Sequence, residues 1–68
     1  MTVRAQPVFT VKEFASGVPW IAIEYLKSEP GMPPGLFGVD LPQGTTLAEA
    51  KRIADVLQDK LTHFAYTP

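Results

Sequence analysis

Trp20-Ile21-Ala22-Ile23-Glu24-Tyr25-Leu26-Lys27 (WIAIEYLK) is the stretch that decides the fold. Its β-branched and aromatic residues favour a pleated, half-buried strand. Alternation sends Ile21, Ile23 and Tyr25 to one side and Trp20, Ala22 and Leu26 to the other. Both sides are apolar, so this is the central strand of a sheet with two faces to cover.

Working outward, Pro7 to Phe14 reads as a strand with a proline at its first position, where it is tolerated. Ala15 to Pro19 connects the two. Ser16-Gly17 is turn chemistry, and Pro19 holds Val18 extended. A loop of that length makes an antiparallel hairpin. Downstream, Ser28 to Gly35 (SEPGMPPG) is a Pro/Gly-rich loop that extends neither neighbour. Leu36 to Leu41 is a third, short strand. Gly38 inside it marks a bulge or a close backbone approach. Met1 to Gln6 is expected to be a loose lead-in.

Thr46 to about Leu61 is the helix. Thr46-Leu47-Ala48-Glu49 matches a capping box, with Thr46 as N-cap. Leu47, Ala50, Ile53, Ala54, Leu57 and Leu61 then form one apolar stripe at three- and four-residue steps. The tail from Thr62 has two readings. Phe64 continues the stripe, and Thr-His-Phe-Ala-Tyr-Thr also suits a short fourth strand.

The expected fold is therefore α+β: a three-stranded antiparallel meander in the order β-β-β-α, with the helix on one face. Phe9, Val11, Ile21, Ile23, Tyr25, Phe37, Val39 and Leu41 make the helix-side face. Val8, Trp20, Ala22, Leu26 and Leu36 lie on the other, interrupted by Thr10, Lys12, Glu24 and Asp40. One helix shields one face. The second face predicts a partner surface centred on Trp20, Leu26 and Leu36, most simply for a second copy of the chain.

Size points the same way. The 68 residues make one small domain. A domain of this size buries only about 60% of its unfolded surface. Small scaffolds are commonly reinforced by disulfides, a metal or oligomerisation. The chain has no cysteine and one histidine, which removes disulfides, thiolate metal sites and His-rich sites. Oligomerisation is left. Six basic and seven acidic residues give a net charge of −1, which sets up no field for nucleic acid. No apolar run approaches the ~20 residues of a membrane span. MTVRAQP lacks the apolar core of a signal peptide, so the expected location is cytoplasmic.

The residue types that carry chemistry are sparse. His63 is the sole histidine, and Ser16 and Ser28 are the only serines, neither in a nucleophile-elbow context. Glu24 falls on the second face and needs a partner such as Lys12 if buried. Pro7 is not N-terminal, which removes secondary-amine catalysis. The glycines form no phosphate-cradling loop. No catalytic, cofactor-binding or metal-binding set is assigned. A ligand pocket, if present, would join Tyr25, Met32, His63 and Tyr66 between the Pro/Gly loop and the helix C-terminus. Phe9, Trp20, Tyr25 and Phe37 could stack bases as a single-strand platform, but Arg4, Lys12 and Lys27 supply little positive charge beside them.

Gly38 to Ala50, GVDLPQGTTLAEA, resembles the antitoxin partners of HicA/HicB-type pairs in its strand, Asp-Leu-Pro turn and Thr-Leu-x-Glu-Ala helix start. The similarity covers roughly a fifth of the chain. The additional strand residues between turn and helix, and the DNA-binding segment of that family, have no counterpart in it. The resemblance implies a partner-binding role. The functional expectation is a small non-enzymatic interaction module that homodimerises through the sheet face opposite the helix or binds another protein.

Overall fold

The computed structural model describes residues 1–25, 30–33 and 36–68. Its elements are β1 (Val3–Ala5), β2 (Pro7–Glu13), β3 (Pro19–Tyr25), β4 (Phe37–Asp40), α1 (Leu47–Lys60) and β5 (Phe64–Tyr66). β2, β3 and β4 form an antiparallel sheet in that order, the expected meander. The α+β class holds. Leu26 to Glu29, Pro34 and Gly35 lie outside the described residues, and with them the end of the expected WIAIEYLK strand and part of the expected Pro/Gly loop.

The register shows which residues share a face. Phe9, Ile23 and Phe37 stand side by side, as do Val11, Ile21 and Val39. The intervening rungs, Thr10-Ala22-Gly38 and Lys12-Trp20-Asp40, point the other way. The helix covers the first set, packing along β2 and, less closely, β3. Ile21 is completely buried. On the helix only Ala50 and Ala54 are fully buried. Their small side chains bring the helix axis close to the sheet. Leu47, Ile53 and Leu61 of the expected stripe are instead 38–45% exposed.

The tail settles as a strand, but it does not extend the meander. β5 pairs with β1 in a separate antiparallel ribbon, with Val3 opposite Tyr66 and Ala5 opposite Phe64. The lead-in thus contains a strand. Ala5 is buried, and the Thr2 and Thr67 hydroxyls meet at 2.8 Å just beyond the ribbon's end. Phe64 packs against Phe37 edge-on and against Tyr25, with ring centroids 5.7 and 5.9 Å apart. The ribbon therefore covers the end of the sheet that the helix leaves open.

Both connections are built from local chemistry. After β2, the Gly17 amide donates to Phe14 O and the Phe14 amide to Val18 O, with Gly17 at φ 86°. This is a three-residue hairpin loop closed by a left-handed glycine. After β4, the Thr45 amide and hydroxyl both donate to Pro42 O, across Gly44 at φ 90°. Thr46 follows as N-cap. Its hydroxyl accepts from the Glu49 amide, and a Glu49 carboxylate oxygen accepts from the Thr46 amide, completing the capping box. Those Thr46 hydrogen bonds, backbone first, hold the Glu49 carboxyl below its ordinary value of 4.5, with Arg52 adding to the effect.

One contact ties helix to sheet with particular economy. The Gln58 side-chain amide accepts from the Phe9 amide and donates to Pro7 O, both at 2.9 Å. It takes the place of a neighbouring strand along the outer edge of β2.

Three substitutions test these contacts. Thr46→Ala should lower the unfolding free energy by about 1 kcal/mol, measured by urea denaturation. Because Glu49 is held low in the fold, its contribution is present above its ordinary value and fades as pH falls through the lower folded value. Glu49→Gln should therefore flatten the loss of stability below about pH 4.5. Separately, Gln58→Ala leaves the Phe9 amide without its partner and should cost about 1–2 kcal/mol in the same assay.

Candidate functional site

The uncovered face of the sheet carries an organised aromatic feature. Trp20 projects from β3 and its indole leans across β4. A Cβ built on Gly38 would stand 2.9 Å from Trp20 Cζ3 and 3.1 Å from Cε3. Of the two readings of Gly38, bulge or close approach, the structure shows close approach: glycine makes room for the ring. Phe14 stacks on the indole, with centroids 5.6 Å apart and planes at 21°.

Phe14 sits there because β2 ends one residue early, at Glu13. The hairpin loop then holds Phe14 by both its amide and its carbonyl. Trp20 is half-buried, while Phe14 is 50% and Leu36 55% exposed. Of the three residues expected to anchor this surface, Trp20 is the centre of the patch and Leu36 is exposed just before β4. Leu26 lies outside the described residues. Phe14 joins them. Alternation from Val8, Thr10 and Lys12 carries Phe14 to this face, and the hydrogen bonds of the hairpin loop set it against the indole.

The rest of this face is mixed. Lys12 and Glu24 form an ion pair at 3.9 Å, with side chains 42% and 48% exposed. At that exposure and distance the pair contributes little to stability. Ala22, on the same face, is completely buried. The patch is thus apolar around Phe14, Trp20 and Leu36, with charge beside it at Lys12, Glu24 and Asp40.

The residues of the expected pocket occupy several environments. Tyr25 packs on Phe64, and its hydroxyl donates to Pro33 O at 3.5 Å. Met32 is half-buried in the loop. Tyr66 pairs with Val3 in the ribbon. His63 is exposed and lines an open depression of about 380 Å³ with Gln6, Pro7, Gln58, Leu61 and Thr62. Gln58, the polar centre of that depression, is already committed to β2.

The four aromatics that could have stacked bases do not share a surface. Phe9, Tyr25 and Phe37 face the helix and ribbon, and Trp20 faces away. Among the described residues no group of three His, Cys, Asp or Glu side chains is placed to hold a metal ion. Nor is any helix among them long and apolar enough to cross a membrane. Compared with protein-family models, curated proteins and solved structures, the chain matches none.

Gly38→Ala should displace the indole from β4. The expected readout is a red shift of Trp20 fluorescence and faster acrylamide quenching, with far-UV circular dichroism unchanged. An unshifted spectrum would show that the ring does not depend on the glycine.

Proposed function

We propose that the chain is a small non-enzymatic protein-interaction module that self-associates, with the Trp20 side of the sheet as its contact surface. The observation that carries this reading is the Phe14-Trp20 stack seated on Gly38. It is an aromatic pair that is half-exposed yet held by backbone contacts on two sides. Aromatic residues of this kind dominate the energetics of protein contacts. Its charged border at Lys12 and Glu24 matches the arrangement of an apolar centre with a polar rim. The small core supports the reading too, since Ile21 is the largest fully buried side chain among the described residues.

Sedimentation velocity from micromolar concentration to about 100 μM tests it. The wild-type chain should form dimers in that range. Trp20→Ala should weaken association by about 2 kcal/mol, roughly 30-fold in Kd. A wild-type chain that stays monomeric throughout would overturn the self-association reading.

A further inference from the structure

The two edges of the main sheet are unequal. The Phe9 amide points outward to Gln58, so the odd-numbered residues of β2 carry the outward backbone groups. Pro7 has no amide to offer there. Gln58 occupies Pro7 O and the Phe9 amide, and Lys12 and Glu13 end the strand with charge. That edge has lost the unbroken run of donors and acceptors that another strand requires.

The same alternation fixes the other edge. Thr10 and Lys12 bond to Ala22 and Trp20, so Ile21 and Ile23 turn their backbone groups toward Val39 and Phe37. Gly38 and Asp40 must then present theirs outward. No hydrogen bond among the described residues takes them up. Unpaired strand edges are templates for pairing.

We infer that β4 is the self-association seam, pairing antiparallel with β4 of a second copy about a twofold axis at Gly38. The inference rests on the self-association reading above and names its route. In this register Gly38 faces Gly38 of the other copy and the two exchange both hydrogen bonds. Asp40 of each copy falls opposite Leu36, so the two carboxylates do not face each other. On the helix side, Phe37 meets Val39 across the seam twice, an aromatic and β-branched pair of the kind that stabilises sheets. On the other side the two opposed glycines leave a gap. The indole leaning over each one fills it, bringing the two Phe14-Trp20 stacks side by side.

A second copy fits the surface area as well. The chain exposes 4867 Å² at 7.4 kDa. A folded monomer of that mass is expected to expose about 4,200 Å². The surplus, roughly 650 Å², is close to what each partner contributes at the smaller end of specific interfaces.

The test compares Asp40→Pro with Thr10→Arg in the full chain. Proline at position 40 removes an outward amide and leaves the bonds of β4 to β3 in place. Thr10→Arg puts charge on the uncovered face, away from the seam. Asp40→Pro should raise the dimer Kd at least about tenfold, with Thr10→Arg near wild type. Amide exchange in the wild type gives a second readout, independent of whether the variants fold. The Gly38 amide should be protected at ~100 μM and exchange freely at ~1 μM. A dimer that survives Asp40→Pro, is lost in Thr10→Arg and leaves the Gly38 amide unprotected would overturn the edge pairing while keeping self-association through the face. A wild-type monomer at every concentration would remove both. Protection of Gly38 only on adding a different polypeptide would replace the second copy with that partner.

Discussion

The side-chain amide of Gln58 holds this structure in register. A strand edge offers alternating donors and acceptors, and a primary amide carries one of each at nearly the same spacing. By accepting from the Phe9 amide and donating to Pro7 O, Gln58 fixes where the helix sits along β2. The helix cannot slide without breaking both bonds. Ala54 and Ala50, one and two turns earlier, add the second condition. They let the backbone approach until Ile21 is sealed from solvent. A larger residue at either position would lift the helix and pull Gln58 out of reach.

Anchoring the helix over β2 has a consequence at the opposite side of the sheet. A helix is about 10–12 Å across with its side chains, and neighbouring strands are about 4.8 Å apart. One helix placed over β2 and β3 leaves β4 beyond its reach. The ribbon of β1 and β5 covers part of the difference, through Phe64 on Tyr25 and Phe37. Val39 stays only half-buried, and Ile53 and Val56 remain exposed on the helix at 38% and 57%. The surplus apolar surface is therefore a result of where the helix is pinned.

What the residues reveal in advance depends on range. The helix start was legible because Thr46 and Glu49 satisfy each other's amides within four residues. The hairpin was legible because Gly17 and the strand alternation are equally local. The pairing of β1 with β5 was not. Val3-Arg4-Ala5 and Phe64-Ala65-Tyr66 are three-residue segments at opposite ends of the chain, too short to show a period. The first alone reads as a loose lead-in, and the second as either more helix or a short strand with no partner named. Gln58 was hidden for a different reason: nothing distinguishes it from any polar residue on a solvated helix face until the edge of β2 is beside it. At the candidate site, alternation places Trp20 on the uncovered face, and Gly38 was legible as either a bulge or a close approach, without its partner. Phe14 was not singled out, although the same alternation carries it to that face, because its contact with Trp20 is made by the hydrogen bonds of the turn, which strand propensity does not encode.

The patch around Trp20 differs from an ordinary exposed aromatic in how little freedom it has. Binding through a side chain costs about 0.5–1.5 kcal/mol for each rotamer-rich group that becomes ordered. In the proposed self-association that cost would be met largely during folding. Gly38 provides the floor for the indole, and the hairpin loop fixes the backbone of Phe14, whose ring then limits the indole from its other side. Removing any one of the three restores freedom to the others. A glycine in an edge strand weakens that strand, and a phenylalanine at a turn exposes apolar area to water. Each is unfavourable for a monomer taken alone. Together they make a rigid apolar surface beside an unpaired strand edge, and both unfavourable features become favourable once that surface is covered.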